Sequence, residues 1–206
     1  MRTLVARMLE HPAVYAAWQA PFVEEKFAPA ARHLHAQPIR RLLDVGCGPG
    51  TNAQRFSDVD YVGVDINDRY LSIARAKYRG RFVQADLQTA DLSSLGRFDA
   101  ILINSFLHHL PDDAVLRILQ QLGGLLDGNG RVHVLELVLP ERRSLARVMA
   151  NLDRGRYARN LTAWRDLFGS HFEPVVFEPY VYARGLWAMV YFQGRTKSRP
   201  SRSESQ

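Results

Sequence analysis

Residues 40–50 read Arg-Arg-Leu-Leu-Asp-Val-Gly-Cys-Gly-Pro-Gly, and this stretch decides the fold. The apolar residues up to Val45 predict a short buried strand, and Gly46, Gly48 and Gly50 predict a tight turn directly after it. Because glycine lacks a Cβ atom, the backbone of such a turn can adopt positive φ angles and approach a ligand closely. Residues 51–57 predict a helix after the turn, whose first amides would favour anionic groups.

Strands and helices alternate along the chain that follows this turn. Four more strands are predicted, at residues 61–65, 81–84, 98–103 and 131–137. Helices are predicted between them at residues 68–78 and 112–125, with Asn67 and Asp112 as N-caps. This order predicts an α/β fold with a Rossmann-like, mostly parallel sheet and helices on both of its faces.

The last part of the chain predicts a different strand arrangement. After one or two helices within residues 143–169, two runs rich in Val, Tyr and Phe cover residues 174–183 and 186–193. The turn Ala183-Arg184-Gly185 between them predicts a hairpin, so the sheet should end in an antiparallel pair.

Three acidic residues lie where the predicted parallel strands end. Asp65 ends the second strand, where a carboxylate can accept hydrogen bonds from a ribose diol. Asp86 follows the third strand and could read an adenine edge. Asp44 precedes the first glycine, where it would repel a pyrophosphate but attract an ammonium or a sulfonium. The Asp44 carboxylate, which would face the pyrophosphate, disfavours a nicotinamide or flavin cofactor, although Gly48, Gly50 and Ala53 match the string G-x-G-x-x-A.

The motifs together resemble a known family. The segments DVGCGPGT, VGVDIN, QADL and FDAILINSFLHHLPD are similar to motifs I to IV of class I S-adenosylmethionine-dependent methyltransferases, in this order and spacing. The resemblance covers roughly residues 38–138 and implies a seven-stranded sheet whose last strand is antiparallel. It also implies S-adenosylmethionine as cofactor and methyl transfer as the reaction, for which we expect a small-molecule acceptor.

The resemblance assigns roles to individual residues. The turn with Gly46, Cys47, Gly48 and Gly50 would surround the methionine part of the cofactor, with Asp44 near its amino group. The remaining cofactor contacts would come from Asp65 at the ribose, Ile66, Asp86 and Leu87 at the adenine, and Asn104 beside the methionine portion.

Candidate acceptor-side residues follow the fourth strand and flank the predicted domain. His108 or His109 could act as a general base, because the pKa of histidine suits proton removal near neutrality. The alternative is a structural turn in which the two imidazoles bond backbone groups. Tyr15 and Trp18 are candidate acceptor contacts in an N-terminal helical lid, which could equally pack on the sheet. Arg154 and Tyr157 could bind an acidic acceptor, or belong to a solvated loop.

Composition limits the remaining possibilities. The single cysteine, Cys47, fits a reducing cytoplasm, and no apolar run predicts a transmembrane segment or a signal peptide. We expect a lid over residues 1–36, the methyltransferase domain over residues 37–195 and a disordered basic tail over residues 196–206, in a monomer or homodimer.

Other function classes are less favoured but stay open. The net charge of +6 permits nucleic-acid binding, yet the segment after Ile103 reads NSFL and lacks the D/N-P-P-Y/F pattern of amino-methylating DNA and protein enzymes. A non-catalytic module that binds the cofactor is a further alternative. The sequence predicts no metal site, because His33 and His35 fall on different faces of a predicted helix and no cysteine accompanies them.

Overall fold

The computed structural model describes residues 20–153 and 155–197 of the 206-residue chain. Its centre is a seven-stranded sheet with the strand order β3-β2-β1-β4-β5-β7-β6. The strands are β1 (Arg41–Val45), β2 (Asp60–Asp65), β3 (Arg81–Gln84), β4 (Phe98–Asn104), β5 (Leu126–Leu137), β6 (Phe172–Tyr182) and β7 (Trp187–Thr196). The predicted Rossmann-like fold is therefore confirmed.

The sheet is parallel except at one end. Strand β1 pairs in parallel with β2 and β4, and β5 continues the parallel part beside β4. Strand β7 is antiparallel to both β5 and β6, as the predicted hairpin requires. The connection turns through Ala183, Arg184 and Gly185, which have φ angles of 51°, 56° and 81°.

Helices cover both faces of the sheet. They are α1 (Val23–Leu34), α2 (Asp68–Lys77), α3 (Asp112–Leu125), α4 (Leu145–Leu152) and α5 (Leu161–His171). One core cluster contains Leu43 and Val45 of β1 with the buried residues of α3 and α5. Leu42, on the opposite face of β1, belongs to a second cluster with residues of α1, α2 and α4. The alternation of side chains along a strand therefore divides the core into two layers.

The first described helix packs on the sheet. Phe27, Ala30 and Leu34 of α1 are at most 4% exposed and lie in the second core cluster. Their spacing places them on one face of the helix, so this part of the predicted lid is held by apolar packing. The predicted lid residues Tyr15 and Trp18 lie outside the described residues.

Four local predictions differ from the structure. Residues 51–57 form only a short 3-10 helix, Ala53–Phe56. The cause is a series of tight turns that starts in the glycine loop, where Gly50 N donates to Cys47 O and Ala53 N donates to Gly50 O. Strand β5 begins at Leu126 rather than 131, with an irregular register opposite the start of β4. Thr196 still pairs with Phe172, so the predicted tail begins inside a strand.

The fourth difference concerns the start of α3. Asp112 is the first residue of this helix, and Pro111 holds the cap position without a side-chain hydrogen bond. The Asp112 carboxylate instead pairs with the Arg159 guanidinium, with 2.6 Å between Nη2 and Oδ1. Between residues 20 and 197, leaving aside position 154, no helix is long and apolar enough to cross a membrane.

Candidate active site

The glycine turn bends as predicted at the carboxyl end of β1. Gly46, Gly48 and Gly50 have φ angles of 70°, 55° and 78°, which L residues with a Cβ rarely adopt. Gly46 also lies so close to the Phe106 ring that an added Cβ would meet its Cδ2 and Cγ atoms at 2.8 Å. The positive φ angles favour glycine at all three positions, and the Phe106 ring also excludes a side chain at position 46.

The amides of the turn are bound within the chain itself. Gly46 N and Cys47 N donate to Val64 O at 2.8 and 3.1 Å, and Gly48 N donates to Asp65 Oδ2 at 2.8 Å. The expected row of amides facing an anion at a helix start is therefore not formed here. Such a turn suits a ligand without a pyrophosphate, in agreement with the position of Asp44.

Cys47 packs into the protein interior. Its side chain is 4% exposed and lies against Gly63 of β2, where an added Cβ would meet Sγ at 2.8 Å. Burial and the neighbouring carboxylates raise the pKa of the thiol, so Cys47 stays protonated and is a poor nucleophile. Only its backbone can take part in the predicted cofactor contact.

Asp44 and Asn104 each carry an oxygen without a donor. Asp44 is fully buried, and its Oδ2 accepts hydrogen bonds from Asn52 Nδ2 at 3.0 Å and from the Tyr61 hydroxyl at 2.5 Å. Asp44 Oδ1 and Asn104 Oδ1 have no hydrogen-bond partner among residues 20–153 and 155–197. Burial raises the pKa of Asp44 to about 6, against the effect of its two donors. Two acceptor oxygens therefore remain to be satisfied by an ammonium or by water.

A first cavity of about 100 Å³, here called the outer cavity, lies beside this turn. Asp65 and Asp86 supply its acidic groups, and its apolar walls include Ile66, Leu87 and Phe106. Asp65 Oδ1 accepts from Asn67 N at 2.8 Å, so both of its oxygens are oriented by backbone amides. Each carboxylate oxygen can accept a second hydrogen bond, which leaves capacity for a diol. Ile66 is 62% exposed, as expected of a side chain that covers a planar ligand.

A second cavity of about 290 Å³, here called the histidine cavity, is lined partly by residues next to those of the first along the chain. Ser105 lines the histidine cavity and its neighbour Phe106 lines the outer one. The histidine cavity is further lined by Lys26, His108, His109 and Asp153, with apolar walls from Leu137, Trp187 and Met189. Both cavities lie at the carboxyl end of the parallel strands, where open α/β sheets bind their ligands.

His108 is held between two carboxylates. Its Nδ1 lies 2.7 Å from Glu136 Oε2, and its Nε2 lies 3.1 Å from Asp153 Oδ2. Burial lowers the pKa of His108, but the two carboxylates outweigh it and raise this pKa to about 9. A protonated imidazole with both nitrogens bound cannot accept a proton, so the geometry favours the structural alternative for His108.

His109 has a different environment. It is exposed, lines the histidine cavity, and its ring centroid lies 4.3 Å from that of His108. The two histidines considered together in the sequence are therefore distinguished by the structure, and His109 is the better candidate for a base.

Glu136 anchors the whole turn after β4, and the sequence analysis did not single it out. It is fully buried in β5, where Phe106 N donates to Oε1 at 2.9 Å and Leu107 N at 2.6 Å. Burial raises its pKa, but His108 and these amides outweigh that effect and the pKa is lowered. The available signal was an acidic residue inside the otherwise apolar run of β5.

The segment after α4 closes over the histidines. Gly155 packs so closely that an added Cβ would lie 2.1 Å from His108 Cδ2, and Tyr157 N donates to His108 O at 3.0 Å. Tyr157 itself is 41% exposed and does not line the histidine cavity, while Arg154 lies outside the described residues. Arg159 of the same segment is buried in its pair with Asp112, so it is not available to an acceptor.

Lys26 of α1 is a second group that the sequence analysis missed. It faces the histidine cavity from the helix that precedes β1. Burial lowers its pKa to about 8, against the opposing effect of the Glu136 and Asp153 carboxylates. The helical spacing of α1 predicted its apolar face but did not indicate which polar residue would border a cavity.

A comparison with known families agrees with this fold. Residues 42–130 match the family model of the methyltransferase domain. The resemblance stated from the motifs is thereby confirmed over the segment that carries them.

Relatives of similar sequence are methyltransferases. An uncharacterized methyltransferase of Mycobacterium tuberculosis is 36% identical over 129 residues, covering 56% of this chain and 64% of that protein. A trans-aconitate 2-methyltransferase of Methylobacterium radiotolerans is 36% identical over 139 residues, covering 64% of this chain and 49% of that protein. The chain spans less than two thirds of the length of both relatives.

A solved structure has the same fold. The 1,6-didemethyltoxoflavin-N1-methyltransferase of Burkholderia thailandensis, solved with 1,6-didemethyltoxoflavin and S-adenosylhomocysteine, matches with a TM-score of 0.67. The match covers 94% of this chain and 89% of that one at 22% identity, which supports the fold only.

Proposed function

We propose that this protein transfers a methyl group from S-adenosylmethionine to a small-molecule acceptor. The observation that carries the proposal is the adjacency of two unlike cavities. The outer cavity combines Asp65 with apolar walls, and the histidine cavity is lined by Ser105, the residue directly before Phe106 of the outer cavity. A nucleoside in the first would direct its sulfonium towards an acceptor in the second.

The residues of the outer cavity fit the cofactor by their chemistry. Asp65 would accept hydrogen bonds from the ribose hydroxyls, while Ile66 and Leu87 would pack on the adenine and Asp86 would lie at its edge. The unsatisfied oxygens of Asp44 and Asn104 would receive the ammonium group, directly or through water. When bound, S-adenosylmethionine supplies an activated methyl group, and the protein supplies position and an electrostatic environment.

The acceptor would be oriented and kept from water in the histidine cavity. Methyl transfer requires the nucleophile in line with the departing sulfur, so a closely fitting wall contributes directly to rate. His109, and the neutral form of Lys26, are the groups of this wall that could take a proton from the acceptor. His108 would position the turn that carries His109.

The size of the histidine cavity favours a small acceptor. About 290 Å³ accommodates a metabolite, whereas a nucleic-acid or protein substrate would need an open groove. The relative named trans-aconitate 2-methyltransferase is consistent with a small organic acceptor. A cytoplasmic location is part of the proposal, since the only cysteine is buried and unpaired.

Transfer of an isotopically labelled methyl group tests this proposal. The full chain is incubated with S-adenosylmethionine carrying a trideuteromethyl group and, separately, with the small-molecule, RNA and protein fractions of a cell extract, and labelled products are sought by mass spectrometry. We expect labelled metabolites with the wild-type protein and none with Asp65→Ala. Cofactor binding without any labelled product would instead favour a non-catalytic binding module, and labelled RNA or protein would favour a macromolecular acceptor.

A further inference from the structure

His108, His109 and Asp153 form a cluster of potential metal ligands at the wall of the histidine cavity. One ligand atom from each residue lies within 4.8 Å of the other two, and all three residues line the cavity. The cluster joins the 3-10 turn after β4, Leu107–His109, to the residue that follows α4. These segments are distant in the sequence, and His33 and His35 are not part of the cluster.

The spacing of the cluster suits a first coordination shell. His108 Nε2 and Asp153 Oδ2 are 3.1 Å apart. Two ligands on bonds of about 2.1 Å, separated by an angle of about 90 to 110°, lie roughly 3.0 to 3.4 Å apart. A cation could therefore bridge this pair with small side-chain movements, and a rotation of the exposed His109 ring would supply a third ligand.

Glu136 binds the second ring nitrogen of His108, as a carboxylate commonly does at a metal-bound histidine. Its Oε2 lies 2.7 Å from His108 Nδ1, which orients the ring so that Nε2 points to Asp153. A carboxylate in this position fixes the tautomer and raises the basicity of the ligating nitrogen. The backbone hydrogen bonds from Phe106 and Leu107 hold Glu136 in place in turn.

The charges at the cluster favour a cation. Two carboxylates, Glu136 and Asp153, flank the His108 ring, and Lys26 is the ammonium group that opposes them from α1. A divalent cation between His108 Nε2 and Asp153 Oδ2 would balance these negative charges.

We propose that the cluster of His108, His109 and Asp153 binds a divalent transition-metal ion. Two imidazole nitrogens and one carboxylate oxygen form a donor set that selects Zn²⁺, Co²⁺ or Fe²⁺ over Mg²⁺ and Ca²⁺. The bound ion would face the histidine cavity and could take an acceptor oxygen as a further ligand, which lowers the pKa of a hydroxyl. Only this last use rests on the proposed methyl transfer; metal binding itself does not.

Metal titration of the full chain without an affinity tag tests the inference. Co²⁺ is added to the protein and visible absorption is recorded, and bound Zn²⁺ is counted by mass spectrometry after dialysis. We expect one ion per chain with micromolar or tighter affinity. His109→Ala and Asp153→Asn should weaken the affinity at least tenfold, while His35→Ala, which removes an exposed histidine outside the cluster, should leave it unchanged.

Two further measurements distinguish a failure of the metal site from a failure of the proposed methyl transfer. Circular dichroism establishes that each variant is folded, and the exposed position of His109 makes its variant the safest to interpret. S-adenosylmethionine is titrated into the same metal-free samples. Cofactor binding without stoichiometric metal binding, or metal affinity unaffected by His109→Ala, overturns the metal site alone. Metal binding without cofactor binding supports the metal site and contradicts the proposed function.

Discussion

Replacing Glu136 with leucine should lower the stability of the folded protein substantially. The leucine keeps most of the volume but leaves three buried donors without their acceptor: Phe106 N, Leu107 N and His108 Nδ1. Each unsatisfied buried donor costs about 1–3 kcal/mol, and breaking a buried charged pair typically costs about 3–5 kcal/mol. We therefore expect the free energy of unfolding to fall by about 4 kcal/mol, which lowers Tm by roughly 10 °C.

Glu136→Gln is the informative companion variant. The glutamine carbonyl oxygen can still accept from both backbone amides, and its amide group can donate to Nδ1 of a neutral His108. We expect the free energy of unfolding to fall by less than half as much in Glu136→Gln as in Glu136→Leu. Urea unfolding followed by tryptophan fluorescence measures both, with Glu141→Leu as an exposed control that should change stability by less than about 0.5 kcal/mol.

The pH dependence provides a second readout for the same residues. The pKa of His108 is raised in the folded protein to about 9, so its stabilising effect is complete below the unfolded value near 6.5. That contribution is lost as the pH rises from about 6.5 to 9, and Glu136→Gln should show a smaller loss over this window. If Glu136→Leu is within about 1 kcal/mol of the wild type at pH 6, the proposed anchoring role of Glu136 is refuted.

Three further predictions concern the two cavities. Gly46→Ala should abolish S-adenosylmethionine binding or folding, because its Cβ would meet the Phe106 ring at 2.8 Å. Gly48→Ala should have a smaller effect, because the space around its added Cβ is open. Equal effects of the two substitutions on calorimetric binding and on thermal melting would contradict this. Affinity for S-adenosylmethionine should weaken by roughly tenfold between pH 7 and 5, because the Asp44 carboxylate becomes protonated; burial raises its pKa to about 6. An Asp44→Asn variant should lack this pH dependence. A wild-type affinity that does not change with pH would argue against the ammonium contact. Once an acceptor is known, His109→Ala should lower turnover by roughly a hundredfold and leave cofactor affinity unchanged; unchanged turnover would leave Lys26 as the candidate base.

Local sequence signals predicted the sheet and the glycine turn well. The glycines after β1, the apolar strands and the Asn67 cap depend on neighbouring residues, and the structure bears out all three. Asp65 and Asp86 could be placed because the carboxyl ends of parallel strands meet at one edge of the sheet.

The acceptor side of the site could not be predicted in the same way, because its residues come from segments that are distant in the sequence. Glu136, Asp153 and Lys26 come from β5, the end of α4 and α1. Only the tertiary fold brings the two carboxylates to His108 and places Lys26 at the same cavity. The sequence pattern could not distinguish His108 from His109, because the difference lies in which ring lies between the two carboxylates. Arg159 likewise depends on a distant residue, because its partner Asp112 follows a different strand.

Calorimetric titration with S-adenosylmethionine tests the central claim most directly. The claim is that the glycine turn and Asp65 hold the nucleoside, so the wild-type chain should bind one equivalent, and Asp65→Ala should weaken binding at least tenfold. Asp58→Asn, an exposed acid outside the site, should match the wild type. Absence of binding by the folded wild-type chain at millimolar cofactor, or equal affinity of Asp65→Ala and wild type, would contradict the account.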